Sequence, residues 1–203
     1  MFKRFSICYS LLMFCITGTS AQEDQWTGNA TNLSKGNLRV NSSGRYLEYS
    51  DGTPFLYMGD TAWELISRLN DKETELYLEN RREKGFTVIQ TVILDELDDM
   101  DVSSNGEPKL IDGNIDKPAP DYFTHVDKVI SLAAAKGLYI ALLPTWGDKV
   151  DKQWGKGPEI FTPENAYRYG KWLGERYMNA SNLIWIIGGD RSGDGKNFAI
   201  WNA

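Results

Sequence analysis

Residues 84–94 read Lys-Gly-Phe-Thr-Val-Ile-Gln-Thr-Val-Ile-Leu, and residues 136–143 repeat the pattern as Lys-Gly-Leu-Tyr-Ile-Ala-Leu-Leu. In both copies a lysine and a glycine end a helical pattern, and a nearly continuous apolar run follows at once. Such runs are typical of strands buried on both faces, as in a parallel sheet that helices cover. The two copies therefore predict an α/β fold in which helices and strands alternate.

The same alternation extends to both sides of these two stretches. Shorter apolar runs at 55–59 and 183–187 predict a first and a fourth strand. Capping signals and helical periodicity predict three helices, over 70–84, over 121–136 and from Thr162 onward. Two architectures fit this pattern, an open doubly wound sheet and the first half of an eight-stranded barrel.

The spacing of the predicted strands bears on the second architecture. The strands end near residues 59, 94, 143 and 187, a mean spacing of roughly 43 residues, so eight units need on the order of 340 residues against a usual barrel of ~250. The chain has 203 residues. It is therefore too short to close such a barrel alone.

The first 21 residues have the composition of an export signal. Lys3 and Arg4 precede the apolar run 5–16, and small residues end the segment at Ala21. The run is shorter than the roughly 20 residues that a membrane-spanning helix needs. We therefore expect cleavage after Ala21, no stable membrane anchor, and a mature protein that is secreted or periplasmic.

The rest of the chain divides into three parts. Residues 22–36 are polar and rich in Asn and Gly, which predicts a flexible lead-in. Residues 37–53 carry two short alternating runs around a Ser-Gly turn, which predicts an antiparallel β-hairpin. Residues 54–203 contain the predicted α/β unit.

Composition excludes several classes of function. Both cysteines, Cys8 and Cys15, lie in the predicted signal, so the mature chain has no thiol for catalysis, disulfides or metal binding. The formal net charge of −6 becomes more negative once the basic signal is removed, which disfavours nucleic acid as a partner.

Metal and nucleotide cofactors also lack the expected residues. The single histidine, His125, lies on a predicted helix and is expected at the surface or on a helix flank, so catalytic triads and histidine metal sites lack a part. The Gly-Asp-Gly at 193–195 is too short for a phosphate loop and has no helical pattern after it. We expect neither a metal nor a nucleotide cofactor.

Carboxylates and tryptophans follow the predicted strands, at the ends where parallel sheets bind ligands. They are Asp60 and Trp63, Asp95 and Glu96, Trp146, and Asp190 with Arg191. Carboxylates beside aromatic rings are the groups that hydrolyse glycosidic bonds, since one carboxyl protonates the leaving oxygen and another attacks or stabilises the sugar cation. We therefore expect a carbohydrate site whose binding residues are Asp60, Trp63, Glu96, Trp146 and Arg191.

Each of these residues also has a structural interpretation. Asp60 fits an N-cap of the next segment as well as it fits a substrate contact, and Trp63 fits a place in the core as well as it fits a sugar site. Arg191 fits an ion pair with Asp190, and the acidic run 95–101 is more typical of a solvated loop than of a calcium site. Asp190 is the hardest to explain structurally, because two glycines before it present it at a strand end.

Four ordered segments carry a family resemblance. They are Gly-Asp-Thr-Ala-Trp-Glu-Leu at 59–65, the stretch 77–90, Leu-Pro-Thr-Trp-Gly at 143–147 and Trp-Ile-Ile-Gly-Gly-Asp-Arg at 185–191. Together, over about residues 37–195, they resemble the apiosidase-like catalytic domain of glycoside hydrolase family 140. The resemblance implies a parallel (β/α)8 TIM barrel, secretion by pectin-degrading bacteria, and retaining cleavage of apiose linkages in rhamnogalacturonan, a plant cell-wall polysaccharide.

The resemblance also assigns one catalytic residue. It implies that Asp190, at the end of strand four, is the general acid/base. The family's nucleophile is a glutamate after strand seven, and no residue of this chain matches it. We therefore expect about the first four βα units of a glycosidase barrel whose C-terminal half is missing, in a chain that is inactive by itself.

Two other interpretations stay open. The chain fits a non-catalytic half-barrel remnant, or a fragment that only binds sugar. It also fits an independent flavodoxin-like domain, which predicts affinity for flavin or phosphate but lacks the expected glycine loop.

Overall fold

The computed structural model describes residues 28–95 and 103–203. An antiparallel pair contains β1 (Leu38–Val40) and β2 (Leu47–Tyr49), and a parallel sheet contains β3 (Gly59–Thr61), β4 (Val88–Leu94), β5 (Tyr139–Thr145) and β6 (Leu183–Trp185). The α-helices of this part are α1 (Leu65–Arg68), α2 (Asp71–Glu83), α3 (Pro120–Ala135), α4 (Pro163–Tyr177) and α5 (Gly195–Trp201). The predicted signal over 1–21 lies outside the described residues.

The four parallel strands are neighbours in chain order, β3-β4-β5-β6. In a doubly wound sheet the order reverses at a switch point, so the first strand lies inside the sheet. Here the first parallel strand lies at one edge and each next strand joins in sequence, which is the order of a (β/α)8 barrel. The doubly wound and flavodoxin-like alternatives do not fit this topology.

The predicted helices α2 and α4 begin at capping boxes. The side chain of Asn70 accepts the N–H of Glu73 at 3.2 Å, and the Glu73 carboxylate accepts the N–H of Asn70 at 3.0 Å. Thr162 and Asn165 form the same reciprocal pair at the start of α4. These bonds satisfy N–H groups that have no partner within the helix, so both helix starts are specified locally.

The two Lys-Gly turns are equivalent, as their repeated sequence predicts. Gly85 after α2 and Gly137 after α3 have φ values of 79° and 70°, the left-handed region that favours glycine. At the second turn, Thr31 donates its hydroxyl to the Gly137 carbonyl at 2.6 Å, and Ala30 donates its N–H to Lys136. The described end of the lead-in is therefore hydrogen-bonded to the turn between α3 and β5.

The first parallel strand begins later than its sequence predicts. The apolar run 55–59 predicts a strand, whereas β3 covers Gly59–Thr61. Phe55 donates its N–H to Leu47 of β2 at 2.8 Å, and its ring packs against Tyr139 with centroids 5.1 Å apart. The start of the apolar run therefore joins the antiparallel pair before the chain reaches β4.

The parallel sheet has two apolar faces because side chains alternate along each strand. Ile89 and Ile140 lie on the face that packs against α2, α3 and α4. Val88 and Tyr139 lie on the opposite face, in a second cluster with residues of the antiparallel pair. A residue's register within the sheet therefore decides which layer its side chain enters.

Two smaller expectations are corrected by the structure. His125 is buried at 6% exposure, with Nδ1 3.2 Å from the Asp71 carboxylate, because α3 packs against the start of α2. A short helix, α5, does follow the Gly-Asp-Gly at 193–195, and its Ile200 and Trp201 pack against the main core. Within the described ranges, no helix has the length and apolar character needed to cross a membrane.

Candidate active site

Asp190 stands at the carboxyl end of the fourth parallel strand, on a turn that only glycines permit easily. Gly188 and Gly189 have φ values of 116° and 69°. A Cβ on Gly189 would lie 3.1 Å from the backbone nitrogen of Gly147, so the turn approaches the end of β5 closely. The Asp190 side chain lies beside Gly147 and is 35% exposed.

Arg191 lies beneath Asp190 and holds it in place. Its side chain is fully buried, and Nη1 donates to Oδ1 of Asp190 at 2.5 Å. Nε donates to the Asp151 carbonyl at 2.6 Å and Nη2 to the Lys152 carbonyl at 3.0 Å. Such charge-assisted bonds are short and directional, so the guanidinium fixes one oxygen of Asp190 and leaves the carboxylate at the surface. The structure shows Arg191 in an ion pair with Asp190, and the predicted contact of Arg191 with substrate stays a prediction.

The structure brings the two predicted tryptophans together. The rings of Trp63 and Trp146 have centroids 5.1 Å apart and are tilted by 51°. Trp146 also borders the turn that carries Asp190, since a Cβ on Gly189 would lie 3.7 Å from its ring. Trp146, with Trp63 packed against it, therefore borders the turn that presents Asp190, and indole rings offer apolar faces of the kind on which sugar rings stack.

Asp60 lies elsewhere, in the layer between the sheet and α2. Its register partner is Ile89, which faces the helices. Tyr77 donates its hydroxyl to Oδ2 of Asp60 at 2.8 Å, and Arg81 forms an ion pair with the same oxygen at 3.2 Å. Burial, and then the bond to Asp60, raise the pKa of Tyr77 well above its usual value. In this position the Asp60 side chain fastens α2 to β3, and its predicted contact with substrate stays a prediction.

Asp95 is buried at the end of β4 in a pair that the sequence did not reveal. Lys109 Nζ lies 2.8 Å from Oδ2 of Asp95, and the two side chains are 0% and 3% exposed. Lys109 comes from the polar segment before α3, which has no periodicity that marks one lysine as buried. Glu96, the neighbouring predicted site residue, lies outside the described residues.

The comparisons with known proteins place the chain among the glycoside hydrolases, and one family model matches most of it. The sequence model of the apiosidase-like catalytic domain matches residues 41–203. The chain belongs to the apiosidase-like catalytic domain family. A solved glycoside hydrolase is 39% identical to this chain, with a TM-score of 0.73. The alignment covers 83% of this chain and 37% of that protein.

Other solved members of the glycoside hydrolases extend this likeness. A family 5 glycoside hydrolase from Bacteroides vulgatus is 32% identical with a TM-score of 0.75, and the alignment covers 86% of this chain and 37% of that one. A second hydrolase of that organism, at 21% identity and a TM-score of 0.57, shares the fold. No curated protein matches the chain. This apiosidase-like domain thus spans about 37% of the length of its first two solved relatives.

The domain contains a second buried ion pair that sequence reasoning missed. Asp148 and Lys149 come shortly after the end of β5, and both side chains are 0% exposed. Both bind the backbone of Gly157, since Asp148 accepts its N–H at 2.8 Å and Lys149 donates to its carbonyl at 2.6 Å. Their position just after Trp146 and Gly147 was the available signal. The pair fixes the loop that runs from β5 toward α4.

Proposed function

We propose that this chain is the N-terminal half of the (β/α)8 barrel of a secreted, retaining glycoside hydrolase that acts on rhamnogalacturonan side chains of pectin. The observation that carries the proposal is Asp190, a carboxylate at the end of the fourth parallel strand, held by a buried arginine beside an indole pair. Membership of the apiosidase-like family supports the reaction class. The export signal predicted over 1–21 supports secretion.

The edge of the parallel sheet supports a larger barrel. A groove of about 550 Å³ runs between the antiparallel pair and β6. Along this edge Trp185 and Ile187 are 39% and 56% exposed, although both belong to an apolar strand sequence. A further parallel strand would satisfy the open backbone groups of β6 and cover these side chains. We propose that the remaining βα units dock there.

The proposed mechanism gives Asp190 two consecutive roles. Arg191 binds Oδ1, and a proton is exchanged through the other oxygen. In the first step Asp190 gives its proton to the glycosidic oxygen as the bond to the sugar breaks and a nucleophilic carboxylate bonds to the anomeric carbon. In the second step Asp190 takes a proton from the water that displaces this carboxylate, which restores both groups.

The nucleophile is not assigned within the described residues. A retaining pair needs carboxyl groups about 5–5.5 Å apart. Asp95 and Asp148 are each buried against a lysine, which commits them to structural ion pairs. We propose that the nucleophile is a glutamate from a later strand, as the family resemblance implies.

The test is hydrolysis of rhamnogalacturonan oligosaccharides by the full-length gene product. We expect Asp190→Asn to lower the rate by about 10²–10⁴-fold, because it removes general acid/base catalysis. Asp112→Asn is the matched control, since Asp112 is an exposed carboxylate paired only loosely with Lys117 at 3.6 Å. Equal rates in the two variants would refute the role of Asp190.

A second candidate function is sugar binding without hydrolysis. Hydrolysis with retention needs two carboxyl groups. Asp95 and Asp148 are buried in ion pairs, whereas the Asp190 side chain is 35% exposed, so the described strand ends offer a carboxylate for binding without a partner for catalysis. This second function predicts that the full-length product binds the same oligosaccharides, releases no sugar from them, and keeps its affinity in Asp190→Asn.

A further inference from the structure

Trp154 is an exposed indole on the loop between β5 and α4. Its side chain is 69% exposed, against 39% for Trp185. Nothing in its sequence neighbourhood marked it as a site residue. Large aromatic rings left in water at a defined position are typical of binding surfaces.

One face of Trp154 is covered by the arginine that holds the proposed acid. The guanidinium carbon of Arg191 lies 4.1 Å from the centre of the Trp154 ring. The same guanidinium donates to Asp190 at 2.5 Å. One buried cation therefore links the indole to the carboxylate, and the centre of the ring lies no more than about 8 Å from Oδ1 of Asp190, given a C–N bond of about 1.3 Å.

The loop that carries Trp154 is fixed before any ligand binds. The Asp148–Lys149 pair binds both backbone groups of Gly157. The N–H of Lys152 donates to the Glu159 carboxylate at 2.8 Å. Gly155, next to Trp154, lies so close to Asp148 that a Cβ there would come within 2.3 Å of the Asp148 Cβ. A ring held in this way loses little conformational entropy when a ligand stacks on it.

We infer that Trp154 is a stacking platform for a sugar ring adjacent to the glycosidic bond on which Asp190 acts. The inference rests on the proposed glycosidase function and adds a subsite to it. The chemistry of the surface indicates the ligand. The exposed indole face stacks on the C–H face of a sugar ring, and the Asp190 carboxyl nearby protonates the oxygen that bridges this sugar to the next. Arg191 serves both groups, because it supports the ring and orients the acid.

The inference is tested by oxidation of tryptophans with N-bromosuccinimide in the full-length gene product, with and without rhamnogalacturonan oligosaccharides. Peptide mass spectrometry gives the rate at each tryptophan, and Trp172, a half-buried residue of α4, is the internal reference. We expect the oligosaccharide to slow oxidation of Trp154 at least fivefold and to leave Trp172 unchanged. Glycerol at the same mass concentration controls for quenching of the reagent.

Variants separate stacking from a structural role. We expect Trp154→Ala to weaken oligosaccharide binding about tenfold in calorimetry, Trp154→Phe to keep most of the affinity, and Tyr167→Ala, which removes an aromatic ring that is 58% exposed on α4, to have no effect. Thermal melting checks that the alanine variant is folded. If Trp154→Ala is less stable than Trp154→Phe, the affinities of the two variants are compared at a temperature where both are folded.

The outcomes also distinguish this inference from the proposed function. If the oligosaccharide binds and protects Trp63 or Trp146 but not Trp154, the platform is refuted and the proposed function stands. If Trp154→Ala binds as tightly as the parent protein, the platform is likewise refuted. If no oligosaccharide binds the folded parent protein, both are overturned.

Discussion

Replacement of Gly147 by alanine tests how Asp190 is held, because one methyl group would enter the space that Arg191 occupies. A Cβ on Gly147 would lie 2.4 Å from Cγ of Arg191 and 3.0 Å from Oδ1 of Asp190. Ordinary carbon–carbon contacts begin at about 3.5 Å, so the arginine would have to move by about 1 Å. Its guanidinium is bonded to the carbonyls of Asp151 and Lys152, so the movement breaks or stretches these bonds.

The expected effects of Gly147→Ala follow from this displacement. Overpacking of a tight site typically costs about 1–3 kcal/mol of unfolding free energy. A displacement of about 1 Å at a catalytic group can lower the rate about 10²-fold. The Gly147 backbone is outside the left-handed region, so alanine there adds no backbone strain and the damage comes from the size of the methyl group. We therefore expect a modest loss of stability and a much larger loss of activity.

Urea unfolding and hydrolysis of rhamnogalacturonan oligosaccharides by the full-length gene product measure the two effects. Gly170→Ala is the matched control, because a Cβ there meets nothing within 4 Å and its position in α4 favours alanine by about 0.5–1 kcal/mol. A Gly147→Ala variant that matches the parent protein in both stability and rate would show that Gly147 does not pack tightly against Arg191.

Two further predictions concern ion pairs away from Asp190. Lys109→Met should lower the unfolding free energy by about 3–5 kcal/mol in urea titrations, because it leaves the Asp95 carboxylate buried without its cation. Adding Asp95→Leu should recover most of this loss. A Lys109→Met variant as stable as the parent protein would contradict the buried pair. Hydrogen bonds from Arg82 and then Lys136 lower the pKa of Glu79 to about 2 from its usual 4.5. A carboxyl whose pKa is lowered by folding adds stability above its unfolded pKa and loses it as the pH falls toward its folded value. Unfolding free energies measured from pH 5 to pH 2 should therefore decline less steeply in Glu79→Gln, and curves of equal slope would show that these bonds do not form.

The sequence predicts most of the scaffold because its signals are local. The capping box at Asn70, the Thr-Pro start of α4 and the glycines after α2 and α3 each fix a backbone conformation within a few residues. The apolar runs of β4 and β5 are long enough to be read without their neighbours. The position of Asp190 also follows locally, since two glycines end the fourth strand just before it.

What the sequence did not predict depends on contacts between distant segments. Asp60 follows an apolar run, but its register against β4 turns its side chain toward α2. Lys109 becomes a buried residue only when its segment packs on the end of β4. His125 is buried because α2 covers it. Trp154 gains its position from Arg191, which lies 37 residues further along the chain.

The dependence of the rate on the leaving group of the substrate shows most directly whether Asp190 is the general acid/base. A dinitrophenyl glycoside departs without a proton, whereas a natural oligosaccharide needs one. We predict that in the full-length gene product Asp190→Asn lowers kcat/KM about 10²–10⁴-fold for the natural oligosaccharide and only a few-fold for the dinitrophenyl glycoside of the same sugar. Equal losses on the two substrates, or no loss on either, would show that Asp190 is not the general acid/base.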